Sequence, residues 1–556
     1  MQSFGLDWAD AAKLLSLALA QQSLAGSGNK VARSDPEASG PDTVVVARVY
    51  TRELDRVRHL RDKHDLWFYL WKKGYAVIRA DRDDLPPDAI IDAEKTARLQ
   101  APPRAVLGDT IPGFECYRTV ETTHADLSQL AADNPDLAEW VDYGDSWEKT
   151  DGQGGYDLQA LVLTNENIAG PKPVLMVMAA MHARELTTAE IATRFAEHLL
   201  DGYGVDGDAT WLLDHNEIHI LPQHNPDGRK QAEAGLSWRK NTNQNYCGAT
   251  SNSRGADLNR NASGMFWNGS SSSGSQCAPT YRGPTPASEP ESAAIEQYMA
   301  EHFPDQRGDN MDDPAPPDAE GVFISIHSVA EIVFYPWEGD DIAPPNLTGL
   351  RALAQRMGFI TDYAACQNCV LGPASGTTVD HAYEFYGVAS FTYETGIDDF
   401  FEECSDFEAD IWPENRDALV YAAKSTRRPY MTSLGPDVLA LDATISPTQI
   451  TITATADDTG YTANTSGEPM QTSHDIAKVQ YTLDLPPWET DSQFPLQPAD
   501  GAFNGPVEEI DATLDPGPFF DRRLIFVFAA DADGNTGPPT AVFIESSEAI
   551  LTDGFE

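Results

Sequence analysis

The chain has 556 residues, of which 41% are hydrophobic, and this composition is typical of a globular protein with more than one hydrophobic core. Its 38 Lys and Arg residues against 87 Asp and Glu residues give a formal net charge of −49 at pH 7. A surface of this sign repels phosphate groups, which argues against nucleic acids and anionic membranes as partners.

The first 42 residues are expected to be a leader and a linker. Leu14–Ala20 is a short apolar run that ends in Ala-x-Ala, as a secretory signal does, but Asp7 and Asp10 precede it where a signal has positive charges. The run is therefore either a poor signal or a plain amphipathic segment. Residues 21–42 are small, polar and rich in Pro and Gly, which favours a linker. No stretch of the sequence reaches the roughly 20 apolar residues of a membrane-spanning helix.

Residues 43–111 are predicted to form a small α+β module followed by a Pro-rich linker. Thr43–Tyr50 alternates like a strand, Glu53–His64 has helical spacing and Leu66–Arg79 is strand-like.

From residue 112 to residue 432, strands and helices alternate. This pattern predicts an α/β domain with a mixed, mostly parallel central sheet and helices on both faces. The expected helices and strands are Asp126–Asn134, Asp157–Thr164, Val174–Met181, Thr187–Leu200, Glu217–Gln223, Gly321–His327 and Ser390–Glu394.

Residues 433–556 are predicted to form a β-sandwich accessory domain with an acidic tail. The helical pattern ends after Pro436, and Gln449–Ala456, Lys478–Leu483 and Leu524–Ala529 are β-rich runs. Clusters of Gly, Pro and Asp separate these runs, as they do in small sandwiches.

The six cysteines are an even number in loop-like surroundings, which favours disulfides and an oxidising compartment, either extracellular or periplasmic. Cys366-Gln-Asn-Cys369 could instead be half of a thiolate metal site. The sequence has no second Cys-x-x-Cys to complete such a site, so a structural disulfide is the favoured interpretation.

A His-x-x-Glu motif occurs twice, as His182-Ala-Arg-Glu185 and as His381-Ala-Tyr-Glu384. The first copy follows the apolar run Val174–Met181, and parallel sheets form their sites at the carboxyl ends of strands. Its spacing predicts that both side chains lie on one side of a first helical turn and reach one ion. The second copy lies in a Tyr-rich and Phe-rich helical stretch, where packing and solvated charge explain it better.

Two further strand ends complete a catalytic metal site. A catalytic zinc ion has three protein ligands and an open position for water, and His327, which ends a predicted strand, is the expected third ligand. Glu394 ends another strand and is the expected general base, which takes a proton from the activated water and passes it to a leaving amine. Asp257 is a candidate hydrogen-bond partner for a ligand histidine.

Six motifs stand in the order and approximate spacing of the pancreatic-type zinc carboxypeptidases: His182-x-x-Glu185, Asn225-Pro-Asp-Gly228, Trp238-Arg-Lys240, Gly255-Ala-Asp-Leu-Asn-Arg260, Ser325-Ile-His-Ser328 and Thr392-Tyr-Glu394. From about residue 112 to residue 428 the chain resembles this carboxypeptidase A/B family, and it is similar to the bacterial secreted members with extra C-terminal β domains. The resemblance implies one Zn²⁺ per chain and hydrolysis of the C-terminal peptide bond of peptides and proteins.

The resemblance also implies roles for four polar residues. Asn259 and Arg260 are expected to bind the terminal carboxylate of the substrate, because a guanidinium fork contacts two oxygens at once. Arg239 is expected to polarise the scissile carbonyl and hold the oxyanion. Arg184 resembles the family arginine that contacts the substrate further from its end.

The expected specificity rests on two positions of the same loop. Val379 resembles the residue at the base of the family's specificity pocket, and its apolar side chain there implies a preference for hydrophobic or aromatic C-terminal residues. Gly372 replaces a family tyrosine that folds over bound substrate, so affinity or length preference is expected to differ. Cys247 and Cys277 stand where the family often has a disulfide, and the pairing of the other four cysteines remains open.

Several alternatives stay open at this point. Residues 43–111 are either a pro-segment, which makes the protein a zymogen, or a structural cap. The zinc site could serve cell-wall or isopeptide-linked amino acids, since Gly372 opens the loop. A catalytically inactive binding protein would lose a ligand or Glu394, yet the sequence keeps them all. We expect a secreted monomer that acts on peptide C-termini.

Overall fold

The computed structural model describes residues 43–446, 449–462, 468–515 and 522–544. The leader and linker predicted for residues 1–42 lie outside these ranges, as does the end of the acidic tail. Every helix within the described ranges is too short or too polar to cross a membrane.

The N-terminal module, residues 43–111, contains a four-stranded antiparallel sheet with the order β2-β3-β1-β4. The run Leu66–Arg79 forms a hairpin of two strands rather than one strand, because the chain reverses before Gly74, whose φ of 71° favours glycine. The elements of the module are β1 Val44–Tyr50, α1 Leu54–Lys63, β2 Asp65–Leu70, β3 Tyr75–Asp81, β4 Ile90–Ile91 and α2 Ala93–Gln100. A short hairpin of β5 Thr110–Ile111 and β6 Phe114–Arg118 spans the predicted boundary at residue 112.

The central sheet has eight strands in the order β13-β12-β14-β11-β9-β10-β8-β7. Four pairs are parallel, namely β10-β9, β9-β11, β11-β14 and β12-β13, and three are antiparallel, namely β7-β8, β8-β10 and β12-β14. The mixed, mostly parallel sheet predicted from the sequence is therefore confirmed. Its strands are β7 Ala138–Asp145, β8 Asp157–Leu163, β9 Val174–Met178, β10 Glu217–Leu221, β11 Val322–Ser328, β12 Ile332–Phe334, β13 Ala364–Cys366 and β14 Ala389–Thr395.

Helices cover both faces of this sheet. Along β9, Leu175 and Val177 pack into one buried cluster while Met176 and Met178 pack into another, as the alternation of side chains in a strand requires. Burial on both faces explains why the central strands are continuous apolar runs. The helices are α3 Val120–Asp133, α4 Trp147–Thr150, α5 Leu186–Gly202, α6 Gly207–His215, α7 Pro226–Glu233, α8 Pro290–His302, α9 Leu347–Thr361, α10 Thr378–Tyr386, α11 Cys404–Asp406, α12 Trp412–Ser425 and α13 Pro429–Thr432.

Two further sheets follow α13 and enclose a core of their own. Their orders are β15-β16-β19 and β18-β17-β20-β21. Ile452 of the first sheet and Val479 and Val527 of the second are fully buried in this shared apolar cluster. The strands are β15 Asp437–Ser446, β16 Gln449–Asp457, β17 Ile476–Leu483, β18 Phe494–Leu496, β19 Val507–Leu514, β20 Arg523–Asp531 and β21 Thr540–Ile544.

All six cysteines are paired. Cys247 is joined to Cys277 and Cys366 to Cys369, so the Cys-x-x-Cys sequence forms a disulfide. A third bond joins Cys116 of β6 to Cys404 of α11, which are 288 residues apart in the chain.

Arg356 of α9 connects the central sheet region to the C-terminal sheets. Its side chain is 1% exposed, and its Nη2 donates hydrogen bonds to the Gly435 carbonyl oxygen at 2.7 Å and to Asp458 Oδ1 at 3.2 Å. The guanidinium also lies 3.8 Å from the centre of the Tyr461 ring. A buried cation with these partners stabilises the junction only while every partner is present.

We predict that Arg356→Met lowers the free energy of unfolding by about 3–5 kcal/mol, because it leaves the buried carboxylate of Asp458 without its cation. Urea titration of the full chain measures the change. The control is Arg416→Met, which removes an exposed ion pair with Asp417 and is expected to change stability by less than about 0.5 kcal/mol. Equal effects of the two variants would contradict this role for Arg356.

Candidate active site

His182 and Glu185 lie in the turn that connects β9 to α5. The sequence predicted that they lie in the first turn of the helix, but α5 begins only at Leu186 and Glu185 has a non-helical backbone (φ −83°, ψ 81°). The turn is tight, since Ala180 adopts a φ of 55°. The spacing of three residues therefore acts through a turn rather than through helical periodicity.

A buried arginine fixes this turn. Arg229 of α7 is fully buried, and its guanidinium donates to the carbonyl oxygens of Glu185 at 3.1 Å and Leu186 at 2.9 Å. Asn225, at the start of α7, donates from Nδ2 to the carbonyl oxygens of Met181 and Lys240, each at 3.0 Å. The sequence analysis gave neither residue a role, although Asn225 belongs to the Asn-Pro-Asp-Gly motif and Arg229 follows it directly.

His327 and Glu394 lie side by side at the carboxyl ends of two parallel strands. They are paired in the register of β11 and β14, so their backbones are immediate neighbours. His327 is fully buried and Glu394 is half-buried. This is the strand edge at which parallel sheets place their functional groups.

The three predicted ligands converge. His182 Nδ1 lies 2.8 Å from Glu185 Oε1, His327 Nδ1 lies 3.1 Å from Glu185 Oε2, and the two Nδ1 atoms are 3.0 Å apart. One atom from each residue lies within 4.8 Å of the others, and all three residues are buried.

Neighbouring groups determine which ring nitrogens face the centre. Asp257 Oδ1 lies 3.1 Å from Nε2 of His182. Burial opposes ionisation of Asp257, but Arg239 and His182 outweigh it and hold the pKa of this carboxyl well below its usual range. An ionised carboxylate only accepts, so the proton of His182 is on Nε2 and its Nδ1 has a free lone pair. Ser325 Oγ, 3.0 Å from Nε2 of His327, can accept the corresponding proton there.

The ligand group therefore presents lone pairs from two imidazoles and one carboxylate to one buried point. Burial lowers the pKa of His182, which favours the neutral ring that binds metals. Burial likewise disfavours ionisation of Glu185, but His182 and His327 outweigh it and lower its pKa. Two imidazole nitrogens and a carboxylate oxygen are a common ligand set for catalytic zinc, so these residues fit a Zn²⁺ ion.

Glu394 has the properties of a proton acceptor. Burial, together with the nearby Glu185 carboxylate, raises its pKa to about 7. A general base is most effective when its pKa lies near the working pH. Glu394 is thus electrostatically coupled to the ligand group.

The predicted arginines surround the same point. Arg239 donates from Nε and Nη2 to Asp257 Oδ2 at 3.1 and 2.9 Å, so Asp257 connects it to His182. Arg260 is 9% exposed and donates from Nε to the Ser271 carbonyl oxygen at 2.9 Å. Arg184, 4% exposed, places its guanidinium carbon 4.0 Å from the centre of the Phe400 ring.

Other candidate residues lie away from the ligand group. Val379 is fully buried in the apolar cluster that contains Met176 and Phe323. In the second His-x-x-Glu copy, His381 Nδ1 lies 2.9 Å from the Ser263 carbonyl oxygen and Glu384 accepts from a backbone N–H.

The structure also brings together Glu217, His219 and His302, a group that the sequence analysis did not identify. His219 Nε2 lies 2.7 Å from Glu217 Oε1, and its Nδ1 lies 2.6 Å from the Tyr298 hydroxyl. These groups satisfy one another, and Glu217 opens β10 at the opposite strand end from His182. We therefore assign the metal to the first group.

Known proteins are similar to this chain in sequence. The family model described as zinc carboxypeptidase matches residues 123–418. Carboxypeptidase A2 of Rattus norvegicus is 29% identical over 289 residues, which cover 50% of this chain and 63% of that protein. Carboxypeptidase A1 of Rattus norvegicus is 25% identical over 429 residues, which cover 70% of this chain and 92% of that protein. The alignment with carboxypeptidase A2 thus spans less than two thirds of that relative.

Solved structures give the same fold. The carboxypeptidase A from Helicoverpa armigera has a TM-score of 0.54 at 23% identity, covering 68% of this chain and 97% of that one. Thrombin activatable fibrinolysis inhibitor has a TM-score of 0.53 at 20% identity, covering 69% of this chain and 98% of that one. At these identities the likeness shows the fold alone.

We predict that the full chain binds one Zn²⁺ through the first group. His327→Ala is expected to lose this ion, and Asp257→Asn to weaken its affinity about 10- to 100-fold, because Asp257 orients a ligand ring. Elemental analysis and competition with a chromophoric chelator measure both effects. His219→Ala, in the second group, is the control. Loss of the ion in this variant and its retention in His327→Ala would contradict the assignment.

Proposed function

The chain belongs to the zinc carboxypeptidase family, and we propose that it is a zinc-dependent carboxypeptidase that removes the C-terminal residue of peptides and proteins. The observation that supports this most directly is the convergence of His182, Glu185 and His327 beside Glu394. A ligand group alone would suit a structural metal. A half-buried carboxyl with a pKa of about 7 next to it suits hydrolysis.

The residues divide the chemistry among them. A zinc ion held by the three ligands supplies Lewis acidity toward water and the scissile carbonyl. Glu394 takes a proton from the attacking water and then donates it to the leaving amine. Arg239 uses Nε and Nη2 on Asp257, which orients its remaining Nη1 for the developing oxyanion.

Arg260 and Asn259 give the proposed enzyme its preference for chain ends. Burial lowers the pKa of Arg260, which Asp257 opposes and Arg239 reinforces. Arg239 is paired with Asp257, while the buried Arg260 has only carbonyl partners among its hydrogen bonds, so an added anion is favourable there. The terminal carboxylate of a peptide is such an anion. Asn259 Oδ1 is also buried and has no hydrogen-bond partner in the described part of the chain.

We propose that the N-terminal module, residues 43–111, is a pro-segment that covers the substrate side of the site. Trp67 of β2 lies 5.2 Å from the Arg184 guanidinium, measured to its ring centre. Asp65, at the start of β2, is near enough to raise the pKa of both Arg184 and Arg239, against the effect of burial. The module thus presents an aromatic ring and a carboxylate to the arginines proposed to bind substrate.

A second contact of the module, made by Arg61, lies at Gly372. Its φ is 69°, and a Cβ built there would lie 3.0 Å from Nη1 of Arg61. Arg61 also donates from Nη1 to the Leu371 carbonyl oxygen. A tyrosine at this position would have a strained positive φ and would press on the Arg61 guanidinium, so the departure from the family pattern fits the covered state.

Secretion is part of this proposal. The disulfides Cys116–Cys404, Cys247–Cys277 and Cys366–Cys369 are typical of proteins from oxidising compartments. They support the proposed extracellular or periplasmic location.

We predict that Glu394→Gln keeps one Zn²⁺ per chain but lowers kcat on a peptide substrate by at least about 100-fold, because the amide cannot accept the proton. Peptide hydrolysis is measured on zinc-loaded protein after limited proteolysis within residues 100–111. Glu384→Gln, the carboxylate of the second motif, is the control and should retain activity. A Glu394→Gln variant with normal turnover would remove Glu394 as the base.

We predict that the double variant Asp65→Ala, Trp67→Ala raises hydrolysis of a short peptide by the uncleaved chain about tenfold, because a cation–π contact and an ionic contact on Arg184 are lost. Arg56→Ala breaks the Arg56–Asp88 ion pair within the module and serves as the control. If the uncleaved wild-type chain already turns over as fast as the cleaved protein, the module is a structural cap instead.

A further inference from the structure

Glu338 is a buried carboxylate that the mechanism does not use. It follows β12 after three residues, its side chain is 4% exposed, and Oε1 has no hydrogen-bond partner within the described chain. Burying a carboxylate oxygen without a partner is costly, so a group of this kind indicates a ligand that completes it.

The backbone around Glu338 is held rigidly. The N–H groups of Glu338 and Gly339 donate to the two carboxylate oxygens of Asp380, each at 2.8 Å. The Glu338 carbonyl oxygen accepts from the Ala374 N–H at 2.6 Å. The backbone that carries the carboxylate is therefore fixed before any ligand arrives, which favours a preformed subsite.

Glu338 faces the part of the site where a substrate would lie. Its charge acts on both Arg260 and Glu394, the groups proposed to hold the terminal carboxylate and to move the proton. Burial raises the pKa of the Glu338 carboxyl, and the nearby hydroxyls of Thr392 and Thr377 only partly oppose this shift. We therefore expect a C-terminal residue anchored on Arg260 to have its side chain near the polar wall formed by Glu338, Thr377 and Thr392.

A second buried carboxyl, that of Asp380, lies next to Glu338. Asp380 is 4% exposed, and its carboxylate oxygens are already engaged by the Glu338 and Gly339 N–H groups. Glu338 raises the pKa of both Asp380 and Glu394, as a like charge does. Within the described chain, no Lys or Arg side chain forms a hydrogen bond with Glu338 Oε1. A bound cation would favour ionisation of both carboxyls, whereas a water molecule would only supply the hydrogen bond.

We infer that Glu338 determines specificity and binds the ammonium or guanidinium group of a C-terminal Lys or Arg. This inference rests on the proposed carboxypeptidase function. It departs from the apolar preference predicted from Val379, whose side chain is packed in the core beneath α10. A cation paired with Oε1 makes a charge-assisted hydrogen bond in a buried setting, where such bonds are strongest.

The test uses peptides that differ only in the charge of the last residue. Lys is compared with norleucine and Arg with citrulline, and peptides ending in Leu and Phe are added. The assay uses the full chain, loaded with zinc and then cleaved by limited proteolysis within residues 100–111. We expect kcat/KM for the Lys and Arg peptides to exceed that of the neutral partners by at least about 100-fold.

Variants assign the effect to one side chain. Glu338→Gln is expected to lower kcat/KM about 100-fold for the Lys and Arg peptides and less than about threefold for the norleucine peptide. Glu338→Asp, which keeps the charge, should keep the preference for cations in weaker form. Glu384→Gln removes a different carboxylate, which lies on α10, and should leave the ranking of the peptides unchanged. Zinc content and melting temperature show that each variant is folded.

The outcomes separate the inference from the function. Faster cleavage of Leu or Phe peptides than of Lys and Arg peptides by the wild type overturns the role of Glu338 and leaves the carboxypeptidase function standing. Equal losses on Lys and norleucine peptides in Glu338→Gln also overturn it. Absence of cleavage of every peptide by folded, zinc-loaded wild type overturns the proposed function and this inference together. If Glu338→Gln does not fold, the wild-type ratio of Lys to norleucine decides alone.

Discussion

Three lone-pair groups that meet at one buried point are the constraint on which the site depends. His182 and His327 bring their Nδ1 atoms within 3.0 Å of each other and close to a carboxylate of Glu185. Neutral acceptors at this separation repel one another unless a cation lies among them. The fold maintains the arrangement with Arg229 behind the turn and with Asp257 behind the first ring. Metal affinity is thus a property of the surrounding sheet edge as much as of the ligands.

Charged side chains of opposite sign are neighbours around the ligand group. Asp257 lies between His182 and Arg239, and its ionisation serves both, since it fixes the tautomer of the ring and the position of the guanidinium. In the proposed enzyme, Arg239 and Arg260 provide positive charge for the substrate end, and Glu394 and Glu338 are the carboxyls beyond it. An acidic chain with a formal charge of −49 therefore places its buried cations where an anionic chain end is to be held.

The sequence predicts the parts of the site that depend on local pattern. The apolar runs before His182, His327 and Glu394 indicate strands buried on both faces, and the motifs place functional residues at their ends. Contacts between distant segments are what the pattern misses. The turn at His182 is held by Arg229, which lies 44 residues beyond Glu185 in the chain. No local sequence pattern links these two segments. Glu338 follows a three-residue strand and belongs to no motif, so its burial is visible only in three dimensions.

The loop from Leu371 to Thr377 contacts both the proposed pro-segment and the backbone of Glu338. Arg61 of the N-terminal module donates to the Leu371 carbonyl oxygen. Three backbone hydrogen bonds join the loop to other segments of the α/β part: Ala374 N–H to Glu338, Ser375 N–H to Ser270, and Ala262 N–H to the Gly376 carbonyl oxygen. In the proposed activation, release of the module removes the Arg61 contact and exposes Gly372, while these three bonds remain. The wall that carries Glu338 is therefore expected to keep its shape after activation, so that uncovering the site changes access to it and not its selectivity.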